Sequence, residues 1–169
     1  MTVAIVVGNP KPASRTAGAA HALVRRLTGS PPDVVVDVVD LGPGVLGWGD
    51  AGVEAAVKAV AGADLVVVAS PTYKASYTGL LKCFLDQFAT GDGLRGVTAV
   101  PLMLGAGPAH AMAPDLLLKP VLVELGATCP APGLYARDAT AAELPEAEAW
   151  VQVWGHVLLT TAHLRKEPS

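Results

Sequence analysis

Val3-Ala4-Ile5-Val6-Val7-Gly8-Asn9-Pro10-Lys11-Pro12-Ala13-Ser14-Arg15-Thr16 contains the change of periodicity that decides the fold. Five consecutive apolar residues, mostly β-branched, read as a strand covered on both faces, as in the middle of a parallel sheet. A turn rich in Gly, Asn and Pro follows, and helical spacing of apolar positions then runs over 16–27. Strand, turn and helix in that order form the first half of a βαβ unit. The turn also holds Lys11, Arg15, Asn9 and the hydroxyls of Ser14 and Thr16. That set suits a phosphate, because N–H groups are open in a first helical turn and the helix dipole is positive there. A simple N-cap by Ser14 or Thr16 beside solvated cations is the alternative. The turn matches neither GxxxxGK[ST] nor GxGxxG, so no dinucleotide fingerprint is present.

The alternation continues along the chain. Residues 65–70 and 97–104 read as two further central strands, while 34–39 alternates around Asp37 and belongs nearer an edge. Residues 127–135 complete five strands, although Pro130 and Pro132 interrupt them. Pro101 inside the fourth strand predicts a bulge or an unpaired donor position. Helices are predicted over 16–27, 53–61, 79–88, 109–125 and 145–164. The last is expected to start at a capping box of Thr140 and Glu143 followed by Pro145. Its stripe of Trp150, Val153, Trp154, Val157, Leu158 and Thr161 is expected to face the core. The chain reads as one α/β domain over 1–169.

Of the 169 residues, 51% are hydrophobic and 16% charged, ample for a core with two covered faces. The net charge of −3 and the absence of a basic stripe argue against nucleic acid as a partner. No apolar run approaches a membrane span, and the N-terminus lacks the pattern of a secretory signal, so a cytoplasmic location is expected. Cys83 and Cys129 fit no metal spacing and read as core-filling thiols. His21, His156 and His163 show no ligand spacing either, and no metal is expected. Lys82 and Asp86 lie four apart in the order the helix dipole disfavours, so Arg15 is the expected partner of Asp86.

Two more strand-end loops complete the candidate site, which in such sheets lies beyond the carboxyl ends of the strands. Ser70-Pro71-Thr72-Tyr73-Lys74-Ala75-Ser76-Tyr77-Thr78-Gly79-Leu80-Leu81-Lys82 follows the third strand, and Leu104-Gly105-Ala106-Gly107-Pro108-Ala109-His110 follows the fourth. Gly105 and Gly107, without Cβ atoms, would let the backbone approach a flat ligand closely.

With these residues the chain resembles the NADPH-dependent FMN reductase family, and within it the flavin reductases that partner alkanesulfonate monooxygenases. The likeness runs from the first strand to Leu134, and the second loop is its most specific part. It implies a flavodoxin-like, doubly wound five-stranded parallel sheet of order 2-1-3-4-5. It would place the FMN phosphate on Asn9, Lys11, Ser14, Arg15 and Thr16. Pro71, Thr72, Tyr73 and Lys74 would meet the ribityl chain and ring, and Gly105, Ala106 and Gly107 the pyrimidine end. Two departures stand out. Asn9 and Lys11 replace the usual Ser and Arg, and Leu116 stands where near relatives often carry an aromatic residue.

The implied activity is hydride transfer from NADPH or NADH to FMN, with reduced flavin passed to a monooxygenase and no side-chain acid or base required. A second reading keeps FMN bound and reduces quinones, azo compounds or chromate. A third, an electron carrier like flavodoxin, lacks the expected phosphate loop and acidic surface. The resemblance, and the broad apolar surface of Leu80, Leu81, Phe84, Leu85 and Phe88, imply a homodimer or homotetramer built at that helix.

Overall fold

The structure is a computed structural model that describes residues 1–164. Its elements are β1 (Val3–Val7), α1 (Arg15–Thr28), β2 (Val34–Asp37), α2 (Ala51–Ala61), β3 (Leu65–Pro71), α3 (Gly79–Leu85), β4 (Thr98–Gly105), α4 (Lys119–Glu124), β5 (Leu134–Arg137) and α5 (Glu146–Leu164). All neighbouring strands pair in parallel, in the order β2-β1-β3-β4-β5. This is the flavodoxin-like order that the resemblance implies. β1, β3 and β4 are buried at every position, which is why their sequences do not alternate. Two cores result. Val6, Val68 and Met103 pack toward α2, α3 and α4, whereas Ile5, Val67 and Leu102 pack toward α1 and α5.

Several expectations are corrected. The fifth strand begins at Leu134, and upstream only Thr128 bridges to Thr98. Between these points the chain leaves the ladder. Ala99 donates to Thr128 toward this side, so Pro101, two residues on, directs its missing donor into the same gap. Of the two alternatives expected there, the unpaired donor position is the one found, and the strand absorbs proline without a bulge. The long helix expected over 109–125 is broken into a 3-10 turn (Pro108–His110), a π-helical turn (Pro114–Leu118) and α4. Pro120 explains the wide turn, because its ring has no N–H and would press on the carbonyl four residues back.

α5 starts at Glu146, after a 3-10 turn (Asp138–Thr140), and Leu144 at φ 44° redirects the chain. No capping box forms. Its expected stripe holds in part: Trp150, Trp154 and Leu158 pack on the core beside Ala147, Gly155 and Ala162, while Val153 and Val157 are exposed. In α3, Leu81, Phe84 and Leu85 fill the chain's own core, as does Phe88 just beyond it. The breadth of that apolar surface is thereby explained without a partner.

Candidate functional site

The carboxyl ends of β1, β3 and β4 open onto one cleft of about 350 Å³. Asn9, Lys11, Ala13, Ser14, Arg15, Pro71, Thr72, Tyr73, Leu104, Gly105, Ala106 and Asp138 wall it. An adjoining outer cleft of about 630 Å³ shares Thr72, Gly105 and Ala106 and adds Lys74, Ala75 and the segment from Gly107 to His110. The three loops predicted from sequence thus meet. Thr16 alone among the predicted residues lies behind the surface, 1% exposed.

In the first loop, Asn9 is buried and works within the turn. Its Oδ1 accepts from the Lys11 N–H at 2.9 Å, and its Nδ2 donates to Thr16 Oγ1 at 3.0 Å. Ser14 caps α1, its Oγ accepting from the Ala17 N–H at 3.2 Å. That is the capping role weighed above, and it leaves the hydroxyl proton free to donate outward. Among the described residues, the Arg15 and Thr16 N–H groups have no acceptor and the Lys11 ammonium has no carboxylate. Ala13 has φ 49°, a left-handed conformation uncommon for alanine. Its N–H lies toward Asp37 at the end of β2 and favours the charged form of that carboxyl. Burial, and Asp40 nearby, raise the Asp37 carboxyl above its ordinary pKa.

Arg15 pairs with Asp138, at 2.6 Å, and not with Asp86. Arg15 starts α1 on one side of the sheet, while Asp86 ends α3 on the other. Lys82 takes Asp86 instead, in an exposed pair on a helix too short for its dipole to forbid it.

The second loop is a tight hairpin. Tyr73 and Ser76 exchange backbone hydrogen bonds at 2.8 and 3.1 Å around Lys74 and Ala75, both at positive φ. This is the primed geometry usually built with Asn and Gly. Tyr73 is 50% exposed at the cleft rim, whereas Tyr77 packs against the core on the α3 side. Thr72 Oγ1 is buried without a hydrogen-bond partner. Thr78 Oγ1 donates to the Gly8 carbonyl at 2.5 Å and accepts from the Leu81 N–H at 3.1 Å. It thereby ties the second loop to the first. A Cβ on Gly8 would lie 2.3 Å from Leu81 Cβ, so close approach of α3 requires glycine there.

The third loop gives glycine a different reason from the one expected. A Cβ on Gly105 would lie 1.8 Å from the Tyr135 hydroxyl oxygen, whereas one on Gly107 would meet nothing within 4 Å. Gly105 therefore makes room for a tyrosine. That tyrosine donates to the Gly107 carbonyl at 2.7 Å. The N–H groups of Ala106 and Gly107 have no acceptor among the described residues. The sequence reading ends the fifth strand at Tyr135, two residues short of its end at Arg137, and so marks neither Tyr135 nor Asp138 for the site.

Cys129 is an inert thiol, pushed up to about 11 by burial. Among the described residues no cluster of His, Cys, Asp or Glu could hold a metal ion, and no helix is long and apolar enough to cross a membrane.

Comparison with known proteins agrees with this geometry. An Escherichia coli FMN reductase (NADPH) is 43% identical over 77 residues, which cover 46% of this chain and 40% of that enzyme. The NADH-dependent FMN reductase SfnF of Pseudomonas putida is 33% identical over 142 residues, 79% of this chain and 76% of that one. The apo structure of an NADH:FMN oxidoreductase, EMOB, superposes with a TM-score of 0.81 at 30% identity, covering 99% of this chain and 91% of that one. A model of the family described as NADPH-dependent FMN reductase matches residues 1–142. The chain belongs to the NADPH-dependent FMN reductase family.

Proposed function

We propose that the chain passes a hydride from NADPH or NADH to FMN lying across the three loops, and releases the reduced flavin to a monooxygenase. The observation that carries this reading is the set of unsatisfied donors along one cleft. They are the Arg15 N–H at one end, the Thr72 hydroxyl midway, and the Ala106 and Gly107 N–H groups at the other, where the inner cleft meets the outer one. A buried donor without an acceptor, such as the Thr72 hydroxyl, is uncommon unless a ligand supplies one, and N–H groups open to the cleft stand ready for the same ligand. A phosphate at the first end, a polyhydroxyl chain midway and a ring with carbonyl edges at the last would satisfy all three, so these residues fit FMN.

Lys11, Arg15 and the α1 N-terminus would hold the phosphate, with the Ser14 hydroxyl as a further donor. Pro71, Thr72, Tyr73 and Lys74 would border the ribityl chain and one side of the ring. The Ala106 and Gly107 N–H groups would stabilise negative charge at the pyrimidine end. FMN, when bound, supplies the ring nitrogen that accepts the hydride. The outer cleft past Ala106, rimmed by Lys74 and His110, has the size and position to seat the nicotinamide nucleotide against that ring. No side chain is assigned as acid or base.

Lys11 gives the phosphate a point charge where arginine would give a fork. The flavin should therefore exchange freely, with a dissociation constant in the micromolar range, about −8 kcal/mol. This favours FMN as a substrate over FMN as a fixed group for quinone, azo or chromate reduction. Self-association into a dimer or tetramer and a cytoplasmic location belong to the same reading. The exposed Met112, Leu116, Leu117 and Val123 offer a more plausible contact surface than α3. The test is steady-state oxidation of each nucleotide with increasing FMN. Colourless protein whose rate rises hyperbolically with FMN is the expected result. Yellow protein after gel filtration, unstimulated by FMN and dependent on a quinone, would replace this reading with the bound-cofactor one.

A further inference from the structure

We propose that Tyr135 is a positioning residue for flavin, which it serves by locking the carbonyl of Gly107. The inference rests on the third loop being the flavin's pyrimidine site, as read above. Beyond Gly105, which ends β4, Ala106 and Gly107 carry almost no side chain to restrict their backbone, and the Gly107–Pro108 peptide has no N–H to anchor it. Left to themselves they would sample many conformations and lose that freedom on binding. One contact prevents this. The Tyr135 hydroxyl donates to the Gly107 carbonyl at 2.7 Å and fixes the Gly107–Pro108 peptide plane. Gly107 is thereby held extended at φ −157° and ψ 178°.

The tyrosine is itself firmly seated. It stands on β5 opposite Met103 of β4 and packs against the core on the α3 side. Its hydroxyl occupies the space where a Cβ of residue 105 would be, so the glycine and the tyrosine form a matched pair. The loop is thus ordered by a side chain from the next strand, with its free N–H groups preset for an acceptor.

Fluorescence titration with FMN and with riboflavin tests this. Tyr135→Phe keeps the ring and removes the hydroxyl, and should weaken both flavins by a similar factor, roughly fivefold to tenfold, about one hydrogen bond's worth. Wild-type affinity for both, with only the melting temperature lowered, would show a merely structural tyrosine and overturn the proposal. Gly105→Ala should weaken both flavins in the native background and have little further effect in Tyr135→Ala. A full loss in both backgrounds would mean that the ligand, not the tyrosine, demands glycine, and would overturn the matched pair. Ala106→Trp separates the proposal from the site reading. Unchanged flavin binding there would overturn both, whereas its abolition beside an unaffected Tyr135→Phe would overturn the tyrosine's role alone.

Discussion

Replacing Arg15 by alanine should weaken FMN binding by less than the charge alone suggests, because the side chain already has a partner. Its guanidinium lies 2.6 Å from Asp138, in a pair whose side chains are 68% and 34% exposed. Such a pair is worth about 0.2–1 kcal/mol. A charge-assisted hydrogen bond to phosphate is worth about 1.5–3 kcal/mol, and turning Arg15 toward it forfeits the first. The net of about 1–2 kcal/mol corresponds to a dissociation constant raised roughly fivefold to thirtyfold. Riboflavin, without phosphate, should bind unchanged. Asp138→Asn should act in the opposite sense, releasing Arg15 and removing an anion from the cleft wall, so that FMN tightens by roughly twofold to fivefold. Both effects should shrink as salt is raised. The assay is a fluorescence titration of both variants with both flavins. Equal losses for riboflavin and FMN in Arg15→Ala, or weaker FMN binding in Asp138→Asn, would refute a phosphate contact that competes with the ion pair.

Other positions give independent checks. Gly8→Ala forces a Cβ to within 2.3 Å of Leu81 Cβ and should cost about 1–3 kcal/mol, read as a melting temperature lowered by several degrees. Burial and the nearby Asp40 disfavour the charged form of Asp37, so its ionisation costs stability. The stability linked to its proton is present at low pH and lost as pH rises through the raised value. Asp37→Asn should therefore melt higher than wild type near pH 7, and the gain should vanish near pH 3; no difference at pH 7 would contradict the assignment. Cys129, with its thiol at about 11, should resist a thiol reagent at pH 8 in the folded protein and react once denatured.

The central strands and their loops are legible because burial on both faces leaves an unbroken apolar run. The edge was harder. β5 is four residues long, and the detour before it carries apolar residues that mimic a strand, so its start was read early. Prolines at 108, 114 and 120 announced an irregular segment, but periodicity alone joined it into one helix. Within the site, residue types forecast the loops but not their internal bonding. That Asn9 would bond Thr16, that Arg15 would turn to Asp138, and that Gly105 would serve Tyr135 depend on which face each helix covers, which is a tertiary fact.

The gap beside Pro101 bears on how this protein opens in amide-exchange terms. Beyond it, β5 joins β4 through four residue pairs, and side chains hold the detour: Lys119 Nζ donates to the Ala131 carbonyl, Trp150 Nε1 to that of Pro132, and the Gly133 N–H to Asp115. The segment from β5 through α5 should therefore open ahead of the central strands, its amides exchanging before those of β1, β3 and β4. Tyr135 and Asp138 travel with that segment. A ligand that needs the third loop ordered must then slow exchange in β5 and α5, so the protection of a helix on the sheet's other flank reports whether the cleft is filled.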